Sequence, residues 1–406
     1  MCERSRRGKR NFTKEEIVKR TLQISAIAVA LFIVPAFLFA SGNQEPSKPV
    51  KLSIIDVAGN LRLSKPAIEA FKAANPKIVS DIDYITATAP ELVPKIKAQQ
   101  MAGALDTTLA LTGYDGIAAG KEQDVWLQLM PKYKDVFQKS IDAYVPGAKA
   151  AYDLFQGTGI AYVFCPGGPM FAYNPDKVPN PPKTAAQLLE WAKQNPNRFL
   201  YARPANSGPG RAFLQGLPYI LGDSNPKDPA TWDKTWAYLK ELDQYIEYYP
   251  SGTSVTFKEL GDGTRWIIAD HLGWDMNQRI LATIPANFQA FFLDNTTWVN
   301  DTQFLCVPKG LDPAREKATI ALMAWLMQPE QQAVTYDEGY FYPGPAIKGV
   351  PLSMAPQASQ DKIKPAMRPM LDEMVTRLPN ASQLDAKPLV EAFDMWDKLV
   401  GAKIKK

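Results

Sequence analysis

The sequence predicts an α/β fold divided into two lobes, and three observations carry that expectation. With 406 residues, 46% of them hydrophobic and 22% charged, the chain can bury more core than a single small domain needs. From residue 50 onward, strand-like apolar runs alternate with segments of helical period, the pattern of a mostly parallel sheet covered by helices. Extended apolar segments near residues 163 and 304, bounded by Pro and Gly, interrupt that alternation as strands crossing between lobes would.

The first forty residues have the layout of an export signal. Arg4, Arg6, Arg7, Lys9, Arg10, Lys14, Lys19 and Arg20 precede the uncharged run "TLQISAIAVALFIVPAFLFA", which ends in Ala40, Ser41 and Gly42. Residues 1–40 are therefore expected to be a signal peptide and 41–49 a polar tether. Twenty uncharged residues also suffice to span a bilayer, so an uncleaved membrane anchor is the alternative. Either way the globular part is expected outside the cytoplasm, in the periplasm or the extracellular space.

This segment holds eight of the 46 Lys/Arg and three of the 42 Asp/Glu, so without it 38 basic residues face 39 acidic ones and the formal charge falls from +4 to −1. A near-neutral chain with no basic stripe lacks the electrostatic footprint of nucleic-acid binding. Cys2 lies in the signal, leaving Cys165 and Cys306 either as buried free thiols or as one disulfide, a choice that spacing cannot make.

The elements then follow in order. "VKLSIIDVAGN" is a strand and a small-residue loop, and "SKPAIEAFKAAN" places Ile68, Phe71 and Ala74 on one helical face. Asn75-Pro76 ends that helix, and "IVSDIDYITA" forms the second strand. In "TAPE", Thr88 and Glu91 make a capping box with Pro90 in the first turn. "TTLALTGYDG" is a third strand opening into a Gly-rich loop. Open parallel sheets bind ligands at the edge where such loops gather, so Asn60, Thr112, Gly113, Tyr114 and Asp115 are candidate site residues. Residues 50–162 are expected to form the first part of one lobe, 163–304 the second lobe, and 305–406 a mainly helical return to the first.

Within the second lobe, a helix capped by Thr184 with Gln187, the strand "RFLYARP" and a tryptophan-rich helix "TWDKTWAYLKELDQYI" surround the stretch "RPANSGPGRAFL". That stretch lacks the Lys-Ser/Thr of a phosphate loop and the three spaced glycines of a dinucleotide loop. It is either an ordinary helix cap or a seat for an electron-rich oxygen, built from Ser207, free amides and Arg211. "GWDMN" adds Trp274 and Asp275, which could stack on a sugar or ammonium group and pair with a cation.

Enzymatic readings find little support. The only histidine, His271, follows the apolar "WIIAD" and is best explained as a packed core residue; a secreted α/β hydrolase would have to build its base on it. There is no G-x-S-x-G, CxxC, HExxH or EF-hand pattern, and Tyr248-Tyr249 is better explained as a helix end than as an iron site. No metal and no cofactor are expected.

In sequence, "FKAANP", "TGYDGIAAGKEQDVWLQL", "FAYNPDKVPNPPKTAAQLLEWA", "RPANSGPGRAFL", "GWDMN" and "WLMQPEQQAVTYDEGYFYPGPAI" resemble the extracellular solute-binding proteins of bacterial ABC importers. The likeness is greatest to the polyamine-, iron- and thiamine-type group. It implies a periplasmic-binding-protein-like fold of type II, its lobes joined by two crossing strands. It also implies a monomer that closes on a small solute and presents it to ABC permease subunits served by a cytoplasmic ATPase. Carried over by position, Asn60, Thr112, Tyr114 and Asp115 line the cleft from one lobe. Ser207, Gly208, Arg211, Ser251, Thr253, Trp274, Asp275 and Asn277 face them, and Tyr342 approaches from the C-terminal loop. The expected solute is small, polar and amine-bearing, with a sugar as the alternative.

Overall fold

A computed structural model describes residues 48–57 and 59–401; the expected signal peptide and most of the tether lie outside the described residues. The chain runs β1 (Val50–Asp56), α1 (Leu61–Ala74), β2 (Val79–Thr86), α2 (Ala89–Met101), β3 (Leu109–Thr112), α3 (Tyr114–Glu122), α4 (Lys134–Asp142) and α5 (Pro146–Phe155). It continues through β4 (Ile160–Gly168), β5 (Met170–Tyr173), α6 (Ala185–Gln194), β6 (Phe199–Leu200), α7 (Gly208–Leu221), α8 (Asp233–Asp243) and α9 (Thr253–Gly261). Next come β7 (Ile267–Asp270), α10 (Leu272–Ile280), β8 (Gln289–Phe291), β9 (Trp298–Cys306), α11 (Pro313–Leu326) and α12 (Pro329–Gln332). The last elements are β10 (Gly344–Pro345), α13 (Gln357–Ala366), α14 (Pro369–Arg377), β11 (Asn380–Ala381) and α15 (Ala386–Leu399).

Local chemistry sets the element boundaries. The Thr88 amide donates to Glu91 Oε2 at 2.9 Å in the capping box that starts α2. Thr184 Oγ1 accepts from the Gln187 amide at 3.1 Å at the start of α6, and Asp312 accepts from the amides of Ala314 and Arg315 at the start of α11. Each contact satisfies an amide that the first helical turn leaves without a partner. Asp56 does the same for α1, taking the Asn60 amide at 2.8 Å.

Two sheets share the strands. The first has the order β10-β4-β9-β3-β1-β2, with β11 added alongside β9; β1 is parallel to β2 and β3, whereas β9 is antiparallel to β3 and β4. The second has the order β6-β7-β5-β8. β4 belongs wholly to the first sheet and β5 to the second, so the outward passage falls at residues 168–170; β8 and β9 bracket the return.

A separate apolar core underlies each sheet. The first gathers Leu52, Ile54, Ile68, Leu109, Ile117, Phe155, Phe304 and Leu322. The second is unusually aromatic, with Phe171, Phe199, Tyr201, Phe213, Trp232, Tyr249 and Trp396. Tyr201 meets Phe213 and Tyr249 with ring centres 5.0 Å apart, tilted as aromatic quadrupoles prefer.

The C-terminal third departs from expectation. Residues 305–406 were expected to rejoin the first lobe, and α11 does so through Leu322, Met323 and Leu326. Leu384, Leu389, Ala392, Trp396 and Val400 instead join the second core, and Trp396 Nε1 donates to the Tyr201 hydroxyl at 3.0 Å. The reason is the stripe of large apolar side chains on α15, which the ring cluster around Tyr201 can bury.

Candidate functional site

Where the two sheets meet, the middle of β9 carries four consecutive polar residues, Asn300 to Gln303, all buried. Polar groups withdrawn from water need partners, and those of β9 find them on several elements. Asn300 accepts the Tyr114 hydroxyl at 2.6 Å, Asp301 Oδ1 accepts from Gln383 Nε2 at 3.3 Å, and Gln303 Oε1 accepts from Asn60 Nδ2 at 2.9 Å.

Around Asp301 and Gln303 the contacts close into one polar cluster. Gln303 lies against Gly113, at the start of α3. In the first turn of that helix, Asp115 Oδ2 stands 3.8 Å from an Arg211 Nη on α7. Asp301 Oδ2 is 3.7 Å from His271 Nε2 and sits beside Gly208. Ser207 Oγ caps α7 by accepting from the Gly210 amide, and it shares a 2.7 Å hydrogen bond with Thr253 at the start of α9.

An aromatic wall completes the enclosure. Trp274 stacks on Phe257, with centroids 5.9 Å apart and planes 17° apart, and meets the edge of Tyr340 at 5.4 Å. Tyr340 in turn lies beside Gly59, and the Arg62 guanidinium sits 4.6 Å from the centre of its ring. Gly59 has φ +76°, a conformation suited to glycine, and turns the chain from β1 toward α1.

Burial sets the electrostatics of the cluster. It raises the Asp301 carboxyl from 3.8 to about 6, against the opposing pull of Arg211. It lowers His271 to about 3, with Arg211 pushing the same way, so the imidazole is neutral at physiological pH. Tyr340 is pushed up to about 12, mainly by burial. A neutral, enclosed histidine beside an apolar strand matches the packed reading of His271, although its neighbours place it at the cluster's edge.

The structure thus brings together Asn60, Asp115, Ser207, Gly208, Arg211, Thr253 and Trp274. Other expected residues lie elsewhere, each for a visible reason. The ring of Tyr114 is fully buried between Phe155 and Phe304, because the residue opens α3 over the first core. The Thr112 hydroxyl lies beneath Gly116 of α3. Asp275 belongs to a helix, not to a loop after β7, and that geometry turns it toward Arg279 at 2.6 Å and Arg368 at 3.7 Å. Asn277 donates to the Glu338 carbonyl at 3.0 Å, and Tyr342 packs near Tyr336. Ser251 is exposed two residues before α9.

Tyr248 and Tyr249 donate to Glu259 and Asp243 respectively, which accounts for both hydroxyls structurally. Cys165 and Cys306 are both free and buried. Among the described residues, no group of three or more His, Cys, Asp and Glu side chains is placed to hold a metal.

Asp301, Gln303 and Tyr340 were not anticipated from the sequence. "NDTQ" inside an otherwise apolar strand was the available signal for the first two, since polar runs rarely enter a strand buried along its whole length. Tyr340 carried no comparable mark. The glycines of "NSGPGRAF" answer to packing: a Cβ on Gly210 would stand 2.1 Å from the Ala202 carbonyl oxygen.

Two lobes, each with its own sheet and core, with polar groups around the strands between them, have the type II fold of periplasmic binding proteins. A family model described as bacterial extracellular solute-binding protein matches residues 66–366, and the chain belongs to that family. Its members are non-enzymatic solute-binding proteins. The chain is 26% identical over 200 residues to protein YnjB of Escherichia coli K12, a match spanning 46% of this chain and about half, 49%, of that protein. Among solved structures it resembles a putative spermidine/putrescine ABC transporter protein from Listeria monocytogenes, with TM-score 0.59 and 15% identity over 86% of this chain and 98% of the other. It also resembles the periplasmic binding protein AfuA of Actinobacillus pleuropneumoniae, whose structure holds fructose-6-phosphate, with TM-score 0.61 and 14% identity over 87% and 99%. At such identities the likeness is one of fold.

Proposed function

We propose that the chain is the exported, monomeric solute-receiving subunit of an ABC importer. It grips a small polar solute bearing a cationic amine between its lobes and hands it unchanged to membrane permease subunits, which a cytoplasmic ATPase drives. Residues 1–40 serve as the export signal in this reading. The observation that carries it is the convergence of Asp115 and Asp301, from two different elements, on a site walled by Trp274 and Tyr340. Carboxylates and aromatic faces are the groups that replace the hydration shell of an ammonium. The Listeria protein is named for spermidine and putrescine, which accords with this chemistry.

Closure follows from differential contact. A solute touching Asp115 on one side and the Trp274 wall on the other stabilises the closed form more than the open one. The test is mass spectrometry of small molecules released on denaturing the purified protein, followed by thermal shift with the compound found. Stabilisation without turnover, weakened at least tenfold in Trp274→Ala, supports the proposal. Turnover abolished by His271→Ala would replace it with the hydrolase.

A further inference from the structure

We propose that the solute is zwitterionic: beside its amine it carries a carboxylate, received by Arg211. This rests on the solute-binding reading above and narrows it. The Arg211 side chain is only 11% exposed, yet among the described residues it makes no side-chain hydrogen bond, and its Nε is buried without an acceptor. Its single ion pair among the described residues, to Asp115 Oδ2 at 3.8 Å, is longer than a hydrogen bond. A planar fork suited to a carboxylate is thus enclosed with its Nε unspent.

A second orphan stands next to it. His271 Nε2, on a side chain only 2% exposed, has no hydrogen-bond partner among the described residues and lies between Asp301 and the Gly208 turn that begins α7. Buried polar atoms gain by finding partners, and a ligand seated between these two would satisfy both.

Charge balance selects the ligand class. Asp115 and Asp301 flank one guanidinium, so a diamine would find its ammonium repelled by Arg211 and would leave the fork unsatisfied. A plain anion would satisfy Arg211 and leave the two carboxylates facing it. A molecule with one carboxylate and one ammonium meets both requirements. The carboxylate lies against Arg211 and the amide of Gly208 at the helix start, and the ammonium lies between Asp301, Asp115 and the aromatic wall.

The experiment uses the purified full chain freed of bound solute by partial unfolding and refolding. Thermal shift and calorimetry are run with the common α-amino acids, with ω-amino acids of three to six carbons, and with the matching diamines, monocarboxylates and neutral sugars. The expected result is binding by one or more amino acids at least a hundredfold tighter than by the matching diamine or monocarboxylate. Arg211→Gln should lose at least tenfold for that amino acid while gaining affinity for the matching diamine, a gain that misfolding cannot produce. Preferential binding of diamines or sugars overturns the inference and leaves the solute-binding reading intact, as does an Arg211→Gln variant that binds the amino acid unchanged. Failure of every amino acid to bind also overturns it, whereas turnover of any panel member would remove the solute-binding reading itself.

Discussion

Replacing Asp301 by Asn should make the empty protein more stable at neutral pH while weakening its hold on solute. Asp301 lies on β9 and is buried among Arg211 of α7, Asp115 of α3, His271 before α10, and Gln383. Burial raises its folded pKa from 3.8 to about 6. The native state therefore binds the proton more tightly than the unfolded chain. Stability from this group is fully present below pH 3.8 and is lost as the pH rises through 6. A difference of about two pH units corresponds to about 3 kcal/mol at pH 7. The amide keeps the acceptor that Gln383 uses, and its new N–H can donate to the neutral His271. Urea denaturation of both proteins should show Asp301→Asn ahead by about 2–3 kcal/mol at pH 7, with the gap closing to within about 0.5 kcal/mol at pH 4. A variant no more stable at pH 7, or an advantage that persists unchanged at pH 4, refutes the reasoning. The accompanying loss of solute affinity would illustrate how binding sites hold groups at the expense of stability.

Two further substitutions test the scaffold. Gly167, at φ +89°, would place a Cβ 1.9 Å from the Val299 carbonyl oxygen, so Gly167→Ala must force β4 and β9 apart at the passage between sheets. A loss of about 3 kcal/mol or more in chemical denaturation is expected; a loss under about 1 kcal/mol would show that the strands yield there. Arg368 answers Asp275 and the enclosed Asp270, whose carboxyl is held well above its ordinary value by burial and by Asp275. Arg368→Ala should cost about 2 kcal/mol at pH 7, less than an ion pair broken outright because Arg279 still answers Asp275, as measured by the same denaturation. A cost unchanged on acidification to pH 4 would point to lost packing instead.

The α/β class, the caps at Thr88, Thr184 and Asp312, and the succession of strands and helices along residues 50–112 were legible in the sequence because each depends on local periodicity or on contacts three residues apart. The same holds for Ser207 and Trp274, which residue type alone made candidates. Orientation was not legible. Tyr114 and Asp115 are adjacent, yet only the helix that begins there, where a loop was expected, sends one ring into the core and the other carboxylate toward Arg211. Trp274 and Asp275 part in the same way on α10.

The sequence by itself determined the alternation of strands and helices outside the stretches that begin α3 and α10, and supplied acids, an arginine and aromatic plates suited to a polar ligand. Only the tertiary structure decided which of them meet. Asp301, Arg211 and Tyr340 lie far apart along the chain and come together through β9, α7 and the loop before β10. Pairing across such distances is governed by packing of the whole chain, which no local pattern encodes. The C-terminal helix shows the same limit: its apolar stripe was visible in the sequence, but the core that would receive it was chosen by the ring cluster around Tyr201.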